Sequence, residues 1–241
     1  MTLSRNLKLK LNKHRIAGYR HFANTRLFLK PADWARFVLL TLFLPSALSS
    51  SLSVSSVRAA EARAIFAGGC FWCMEQAFEA LDGVSKANSG YIGGTVARPT
   101  YAQVSQGNTG HTEAIEVLYD SEKLDYTTLL DAFWRNVDPV DGGGQFCDRG
   151  SQYRSGIFPL TEQQFSLAQS SKEALDNSKL LNGRIQTEIT YASSFYPAEE
   201  YHQDYYLKNP RRYKLYKWNC GRKRQLDRVW GSIEKLPFLK E

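Results

Sequence analysis

The chain has 241 residues, of which 43% are hydrophobic and 13% aromatic, so it can bury one good core and is expected to form one folded domain with an appendage. Its net charge of +7 comes from residues 1–60, which hold ten of the 31 Lys and Arg residues but only one of the 24 acids, Asp33. The remaining body is slightly acidic, at −2, which removes the main support for nucleic-acid binding. A local basic cluster in the body, Arg222-Lys223-Arg224, is interpreted as a solvated face or as charge at a helix C-terminus.

Residues 1–60 are predicted to be a targeting segment, and residues 61–241 the catalytic domain. A long basic stretch to Arg36 precedes an apolar run, Phe37–Leu44, and then Ser/Ala-rich sequence to Ala60. This order resembles a secretory signal peptide, so we expect export to the periplasm or the exterior. An uncleaved membrane anchor and an organellar transit peptide remain as alternatives.

The segment Gly68-Gly69-Cys70-Phe71-Trp72-Cys73-Met74-Glu75 lies where a short strand, Ala64–Ala67, is predicted to turn into a helix that runs to about Asp82. A thiol at a helix N-terminus is expected to have a lowered pKa, because the unpaired N–H groups and the helix dipole stabilise its thiolate. The sequence therefore predicts that Cys70 is a reactive nucleophile on an exposed rim. The alternative is a buried structural cysteine.

The four cysteines, Cys70, Cys73, Cys147 and Cys220, leave two further alternatives open. In an oxidising compartment they could form two structural disulfides, and together with His111 or His202 they could bind zinc. A domain of this size does not need disulfides for its stability, which argues against the first alternative. The chain has no second Cys-x-x-Cys pair, which argues against zinc. We therefore expect no metal.

Further along the body, a strand is predicted over Ser85–Tyr91, followed by a long loop over Thr95–Gly110. His111–Tyr119 alternates as a strand should, and it carries Glu113 in line with Ile115 and Val117. A carboxyl group on the apolar face of a strand is desolvated, which raises its pKa and makes it a possible proton donor. The alternative is that Glu113 lies at a sheet edge and is exposed to solvent.

The rest of the body alternates short strands with helices, which predicts an α+β or α/β sandwich. Asp125 and Thr161 are predicted helix caps, and a polar loop between these helices carries Cys147, Asp148 and Tyr153. Strands are predicted at Ile157-Phe158 and Thr187–Tyr191, and a short helix from Pro197. The tail from Lys208 onward is basic and aromatic.

An ordered set of motifs over residues 63–221 resembles the peptide methionine sulfoxide reductase A family. The motifs are Gly69-Cys70-Phe71-Trp72, Gly90-Tyr91-Ile92-Gly93-Gly94, Pro99-Thr100-Tyr101, Gly107–Ala114, Asp148–Ser155, Phe195–Gln203 and Leu207–Pro210.

The resemblance implies a two-layer α+β sandwich with a ferredoxin-like mixed sheet, long irregular loops and a tail. It also implies thiol-dependent reduction of methionine-S-sulfoxide, free or in proteins, as oxidative damage repair. The roles implied are those of Cys70 as nucleophile, Glu113 as proton donor, Tyr101 and Tyr153 as hydrogen-bond donors, Asp148 as a polar site member, and Phe71 and Trp72 as the apolar wall for the substrate methyl group.

A Cys70 sulfenic acid must be resolved by a second thiol. Cys220 on a mobile tail ranks first, Cys147 second and Cys73 third; the family more often has glycine at position 73 and one more cysteine beyond position 220. The resemblance implies thioredoxin or an equivalent thiol as reductant and no other cofactor, and a monomer is the default. A general disulfide oxidoreductase that uses Cys70 and Cys73 is the rival enzyme.

Overall fold

The computed structural model describes residues 61–231. The predicted targeting segment, residues 1–60, lies outside the described residues. In chain order the elements are β1 (Glu61–Gly68), α1 (Phe71–Glu79), β2 (Val84–Ile92), α2 (Tyr101–Ser105), β3 (Thr112–Asp120), α3 (Tyr126–Arg135), β4 (Gly144–Gln145), β5 (Asp148–Arg149), β6 (Ser155–Ile157), α4 (Glu162–Ser178), β7 (Glu188–Ile189), β8 (Tyr196–Pro197), α5 (Tyr205–Lys208), α6 (Pro210–Asn219) and α7 (Arg222–Trp230), with a 3₁₀ turn over Ser151–Tyr153 before β6.

A six-stranded mixed sheet forms the centre of the domain, with strand order β7-β6-β1-β3-β2-β8. Its central strands β6, β1, β3 and β2 pair antiparallel, and β7 joins β6 in parallel. The helical connections β1-α1-β2 and β3-α3-β6 both skip a strand, which gives the ferredoxin-like arrangement. The predicted α+β sandwich with a mixed sheet is confirmed.

The main core lies between this sheet and one layer of helices. Alternate residues of β1 point to opposite faces, so Ala64 and Phe66 join the main core while Ile65 and Ala67 face a smaller cluster on the other side. Phe66 stacks on Phe78 of α1 and on Phe133 of α3, with ring centroids 5.1 and 5.4 Å apart. The strand that leads to Cys70 is therefore held rigidly on both faces.

Several predicted elements differ from the structure. The helix predicted from Pro197 is wrong, because Pro197 ends the short edge strand β8 and the next helix begins only at Tyr205. The tail from Lys208 is not irregular but forms α6 and α7 up to Trp230. The predicted loop over Thr95–Gly110 contains α2. Within residues 61–231, no helix is long and apolar enough to cross a membrane.

Candidate active site

Cys70 is the last residue before α1, at a sharp turn from β1. Gly69 makes this turn with φ of +78°, a left-handed conformation that favours glycine, and a Cβ on it would lie 2.6 Å from Cβ of Gln145. The turn places Cys70 at the N-cap of α1, as predicted. The predicted exposed rim is wrong, because Cys70 is only 5% exposed.

A small pocket of about 80 Å³ opens at Cys70. It is roughly the volume of two or three water molecules, enough for a methyl group, a sulfur and an oxygen. All seven side chains to which the family resemblance gives a role in binding or reducing the sulfoxide line this pocket. Tyr216 is the eighth residue of the lining. The lining is Cys70, Phe71, Trp72, Tyr101, Glu113, Asp148, Tyr153 and Tyr216.

Glu113 provides a buried carboxyl group on strand β3. It is 3% exposed, and its Oε2 accepts a hydrogen bond of 3.0 Å from the backbone N–H of Phe71. Burial raises the pKa of Glu113 to about 8, although the Phe71 N–H opposes this shift. The predicted desolvated carboxyl group is confirmed, and at neutral pH it mostly holds a proton that it can donate.

The ionisation of Cys70 differs from the prediction. Burial, followed by the hydrogen bond to Cys73, raises the pKa of Cys70 well above its usual value. The helix N-terminus does not reverse this, because the first N–H of α1 is bonded to Glu113 rather than to sulfur.

Cys73 is the thiol with the lowered pKa. The hydrogen bond that Cys70 donates to its sulfur lowers the pKa of Cys73 to about 6, against the effect of burial, and the charge of Arg222 acts in the same direction. The hydrogen bond between the two sulfurs therefore favours the thiolate on Cys73 and the thiol on Cys70.

Two tyrosines line the pocket together with Cys70. Tyr101 is the first residue of α2, and its backbone N–H donates a hydrogen bond of 2.8 Å to Glu199 Oε1. Tyr153 lies in the 3₁₀ turn, and its side chain hydrogen-bonds to the Tyr101 hydroxyl. Burial raises the pKa of Tyr101 to about 12 and also raises the pKa of Tyr153. Both hydroxyls stay protonated at neutral pH and can donate hydrogen bonds.

Phe71 and Trp72, the aromatic wall of the pocket, are held in position by contacts with Tyr205 and His202. The Trp72 ring stacks on Tyr205, with centroids 3.8 Å apart and planes at 8°. The Trp72 Nε1–H donates to Nδ1 of His202 at 3.2 Å, and the His202 ring also packs against Phe71. His202, considered as a zinc ligand in the sequence, is thus a structural support of the wall.

Asp148 and Tyr216 connect the pocket to the other two cysteines. The Tyr216 hydroxyl donates to Asp148 Oδ2 at 2.5 Å and also contacts the Cys70 thiol. Burial raises the pKa of Asp148, and this hydrogen bond opposes the shift. The sequence indicated Tyr216 only through the aromatic character of the tail, because its position depends on how α6 packs.

Cys147 and Cys220 are joined in a disulfide that spans 73 residues. Their sulfurs lie 3.7 and 4.0 Å from the Asp148 carboxylate, next to the pocket. Neither sulfur is a free thiol in this state. Cys220 is therefore bonded to Cys147 here, and not to Cys70 as the sequence predicted. Cys70 and Cys73 are the free thiols.

Arg222 was interpreted from the sequence as solvated or C-terminal charge, and this is wrong. It is 3% exposed at the start of α7, and its guanidinium binds the carbonyl oxygens of Asn136 and Gly68 at 2.5 and 3.3 Å. No carboxylate of the described residues forms a salt bridge with it. Its charge acts instead on Cys73 and Asp148.

Two groups of acids and thiols among residues 61–231 are close enough together to bind a metal ion. In the first, Cys147 and Cys220 are already bonded to each other beside Asp148. In the second, the Glu75 and Glu79 carboxylates already accept hydrogen bonds. His111, the other zinc ligand considered, uses both ring nitrogens on the backbone of Gly94 and Val96.

Comparison with known proteins points to a single family. Residues 62–234 match the family model described as peptide methionine sulfoxide reductase. The chain is 46% identical over 168 residues to peptide methionine sulfoxide reductase MsrA of Bacillus licheniformis, covering 70% of this chain and 93% of the relative. It is 48% identical over 169 residues to MsrA 2 of Caulobacter vibrioides, covering 70% and 85%.

Two solved structures are similar to this fold. One is Mxr1 from Saccharomyces cerevisiae in reduced form, with a TM-score of 0.59 and 32% identity, covering 62% of this chain and 86% of that one. The other is methionine sulfoxide reductase A of Corynebacterium diphtheriae, with a TM-score of 0.56 and 34% identity, covering 64% and 77%.

Proposed function

The chain belongs to the peptide methionine sulfoxide reductase family, whose reaction is thiol-dependent, and we propose that it reduces methionine-S-sulfoxide with Cys70 as the nucleophile. The observation that supports this most strongly is the shared pocket of Cys70 and the protonated Glu113. Expelling oxygen from sulfur requires a nucleophile and an acid on the same substrate group, and this pocket holds both.

In the first step, the Cys70 sulfur attacks the sulfoxide sulfur while Cys73 takes the Cys70 proton. Glu113 donates a proton to the sulfoxide oxygen, and Tyr101 and Tyr153 donate hydrogen bonds to it. The hydroxyl then moves from the substrate sulfur to the Cys70 sulfur, which becomes a sulfenic acid, and both the substrate's sulfur–oxygen bond and its new bond to Cys70 break. The substrate sulfur gains two electrons and leaves as methionine, free or within a protein.

In the second step, Cys73 resolves the sulfenic acid. Its sulfur attacks the Cys70 sulfur, water leaves and a Cys70–Cys73 disulfide forms. The hydrogen bond between the two sulfurs and the lowered pKa of Cys73 support this order over a direct attack by Cys220. Asp148 is a polar site member that holds the Tyr216 hydroxyl between the pocket and the second cysteine pair.

In the third step, reduced Cys147 and Cys220 exchange thiols with the Cys70–Cys73 disulfide. This regenerates the two active-site thiols and leaves a Cys147–Cys220 disulfide, which is the combination of states in this structure. Thioredoxin or an equivalent thiol then reduces that disulfide. The exposure of Cys147 supports its role as the contact with an external reductant.

The test of this function is turnover of separated S and R epimers of a methionyl sulfoxide with dithiothreitol, by the full chain and by Cys70→Ser. We expect activity on the S epimer alone, and none in the variant. Reduction of both epimers, or none, would contradict the assignment. Reduction of insulin disulfides that is lost in Cys70→Ser, without sulfoxide turnover, would favour the general disulfide oxidoreductase.

We also propose that residues 1–60 direct export, on the strength of their basic, apolar and Ser/Ala-rich order. Cell fractionation of the full chain tests this. A shortened protein outside the cytoplasm is expected; a full-length protein in the membrane or within an organelle would favour the alternatives.

A further inference from the structure

The Cys147–Cys220 disulfide borders a second cavity that the proposed catalytic steps do not use. Its volume is about 330 Å³, within the range of small-molecule pockets, whereas the pocket at Cys70 has about 80 Å³. Its lining includes the disulfide, Phe146 and Asp141, together with Arg224 and Arg228 of α7. A small molecule in this cavity would lie directly against the disulfide.

The cavity has an excess of positive charge. Arg224 and Arg228 lie one turn apart, and neither forms a salt bridge with a carboxylate of residues 61–231. The one acid in the lining, Asp141, is already bound by Arg149 through two hydrogen bonds of 2.5 and 2.9 Å. Two guanidinium groups are therefore available to a ligand that carries carboxylates.

The two sulfurs of the disulfide are not equivalent toward an attacking thiolate. Cys147 is exposed, whereas Cys220 is half-buried and directly precedes Gly221, the N-cap of α7. The backbone N–H of Cys147 lies 3.2 Å from Cys220 Sγ and donates to it. This N–H stabilises a thiolate on Cys220, and the exposed Cys147 sulfur is the more accessible of the two, so Cys147 is the sulfur that is attacked and Cys220 the leaving group.

We propose that this cavity binds a small thiol that carries carboxylates and that this thiol reduces the Cys147–Cys220 disulfide. The inference rests on the proposed function, since it names the class of reductant that completes the cycle. The carboxylates bind Arg224 and Arg228, and the thiol lies at Cys147.

The reduction takes two equivalents of the thiol. The first, as thiolate, attacks Cys147 Sγ; a mixed disulfide forms, and Cys220 leaves as a thiolate that takes a proton. The second thiolate attacks the small-molecule sulfur of this mixed disulfide and releases Cys147. The small thiol is oxidised to its own disulfide, and the two cysteines gain the two electrons.

The test measures how fast the oxidised full chain is reduced by glutathione, which is anionic, and by cysteamine, which is cationic. Alkylation at timed intervals and mass spectrometry of the Cys147 peptide give the rate, which is divided by the thiolate fraction of each reagent. We expect a preference for glutathione on the order of tenfold that declines with added salt. An excess of S-methylglutathione, which binds but cannot reduce, should slow the reaction.

Arg224→Gln/Arg228→Gln should abolish this preference. The matched control is Lys223→Gln on the same helix, whose lysine pairs with Asp227, and it should keep the preference. Equal rates for the two thiols in the unsubstituted chain, or an unchanged preference in the double variant, would overturn the proposal. Reduction by thioredoxin with no saturable reaction with glutathione would also overturn it. Failure of the proposed function itself would be seen separately, as absent S-epimer turnover with dithiothreitol.

Discussion

Glu113 has a protonation state that can be tested through the pH dependence of turnover. Its pKa is raised to about 8, so the acid form is present below that pH and is lost above it. Cys73 ionises near pH 6. The rate should therefore rise near pH 6, fall near pH 8 and give a bell-shaped profile for the free enzyme, measured as kcat/KM.

Replacing Glu113 with Gln should keep the hydrogen bond from Phe71 but remove the proton donor. We expect kcat/KM to fall by roughly 10²- to 10⁴-fold and the decline near pH 8 to disappear. Glu116→Gln is the matched control, because Glu116 lies on the opposite face of the same strand and pairs with Arg63. A Glu113→Gln enzyme with full activity and an unchanged profile would exclude Glu113 as the acid.

Cys73 can be tested by the methionine released without external reductant. A fully reduced chain has four thiols and should release about two methionines per molecule, because each turnover consumes one thiol pair. Cys73→Ser should release only about one, as its Cys70 sulfenic acid would have no resolving partner. Its rise in rate should also move to higher pH, since Cys70 remains buried. Two methionines from Cys73→Ser would mean that Cys147 or Cys220 resolves directly.

At the scale of single residues, a sequence pattern predicts what depends on local position. The alternation in β3 places Glu113 on the apolar face, and the glycine pair places Cys70 at the N-cap. The ionisation of Cys70 could not be predicted in this way. It depends on Glu113, 42 residues away, which takes the first N–H of α1, and on the depth of burial.

Among the elements, α7 places the charge of Arg222 in the interior near Cys73. Its basic sequence does not indicate this role. Arg222→Met should raise the pKa of Cys73 by removing a buried positive charge. It should also lower the free energy of unfolding by about 1–3 kcal/mol, because the Gly68 and Asn136 carbonyls lose their donor.

The matched variant, Arg222→Lys, keeps the charge while changing the hydrogen bonds. It should retain the low pKa of Cys73 even if it unfolds more easily. The pH dependence of Cys73 alkylation, followed by mass spectrometry, measures the pKa, and denaturant unfolding measures stability. The same alkylation profile in Arg222→Met and in the unsubstituted chain would exclude an electrostatic role for Arg222.

Helix starts with a local chemical signal were predictable, and those without one were not. The side chains of Asp125 and Thr161 accept hydrogen bonds from Thr128 N and Gln164 N, as their positions predict. By contrast, α6 has one buried residue, Tyr213, so it shows little of the apolar periodicity that marks a helix. Its helical structure is stabilised by contacts with α1, such as the Tyr213 hydroxyl on Gln76.

At the scale of the whole molecule, the disulfide fastens the C-terminal helices to the β4–β5 hairpin. Four cysteines allow three ways of forming two disulfides, and spacing alone does not choose among them. The structure joins Cys147 to Cys220 because the hairpin and the end of α6 meet beside Asp148. Trp230 adds a second attachment, with its indole N–H donating to the Val137 carbonyl at 3.1 Å.

Reducing this disulfide should therefore loosen the fold without unfolding it. A cross-link across 73 residues restricts the unfolded chain and is worth about 4 kcal/mol in the chain-entropy model. We expect the reduced chain to unfold at a lower guanidinium concentration than the oxidised chain. Cys147→Ser/Cys220→Ser should match the reduced chain and should not respond to a reductant. Equal midpoints for the oxidised and reduced chains would mean that the disulfide contributes nothing to stability. A large loss of secondary structure on reduction would mean that Arg222 and Trp230 do not hold α7 in place during the catalytic cycle.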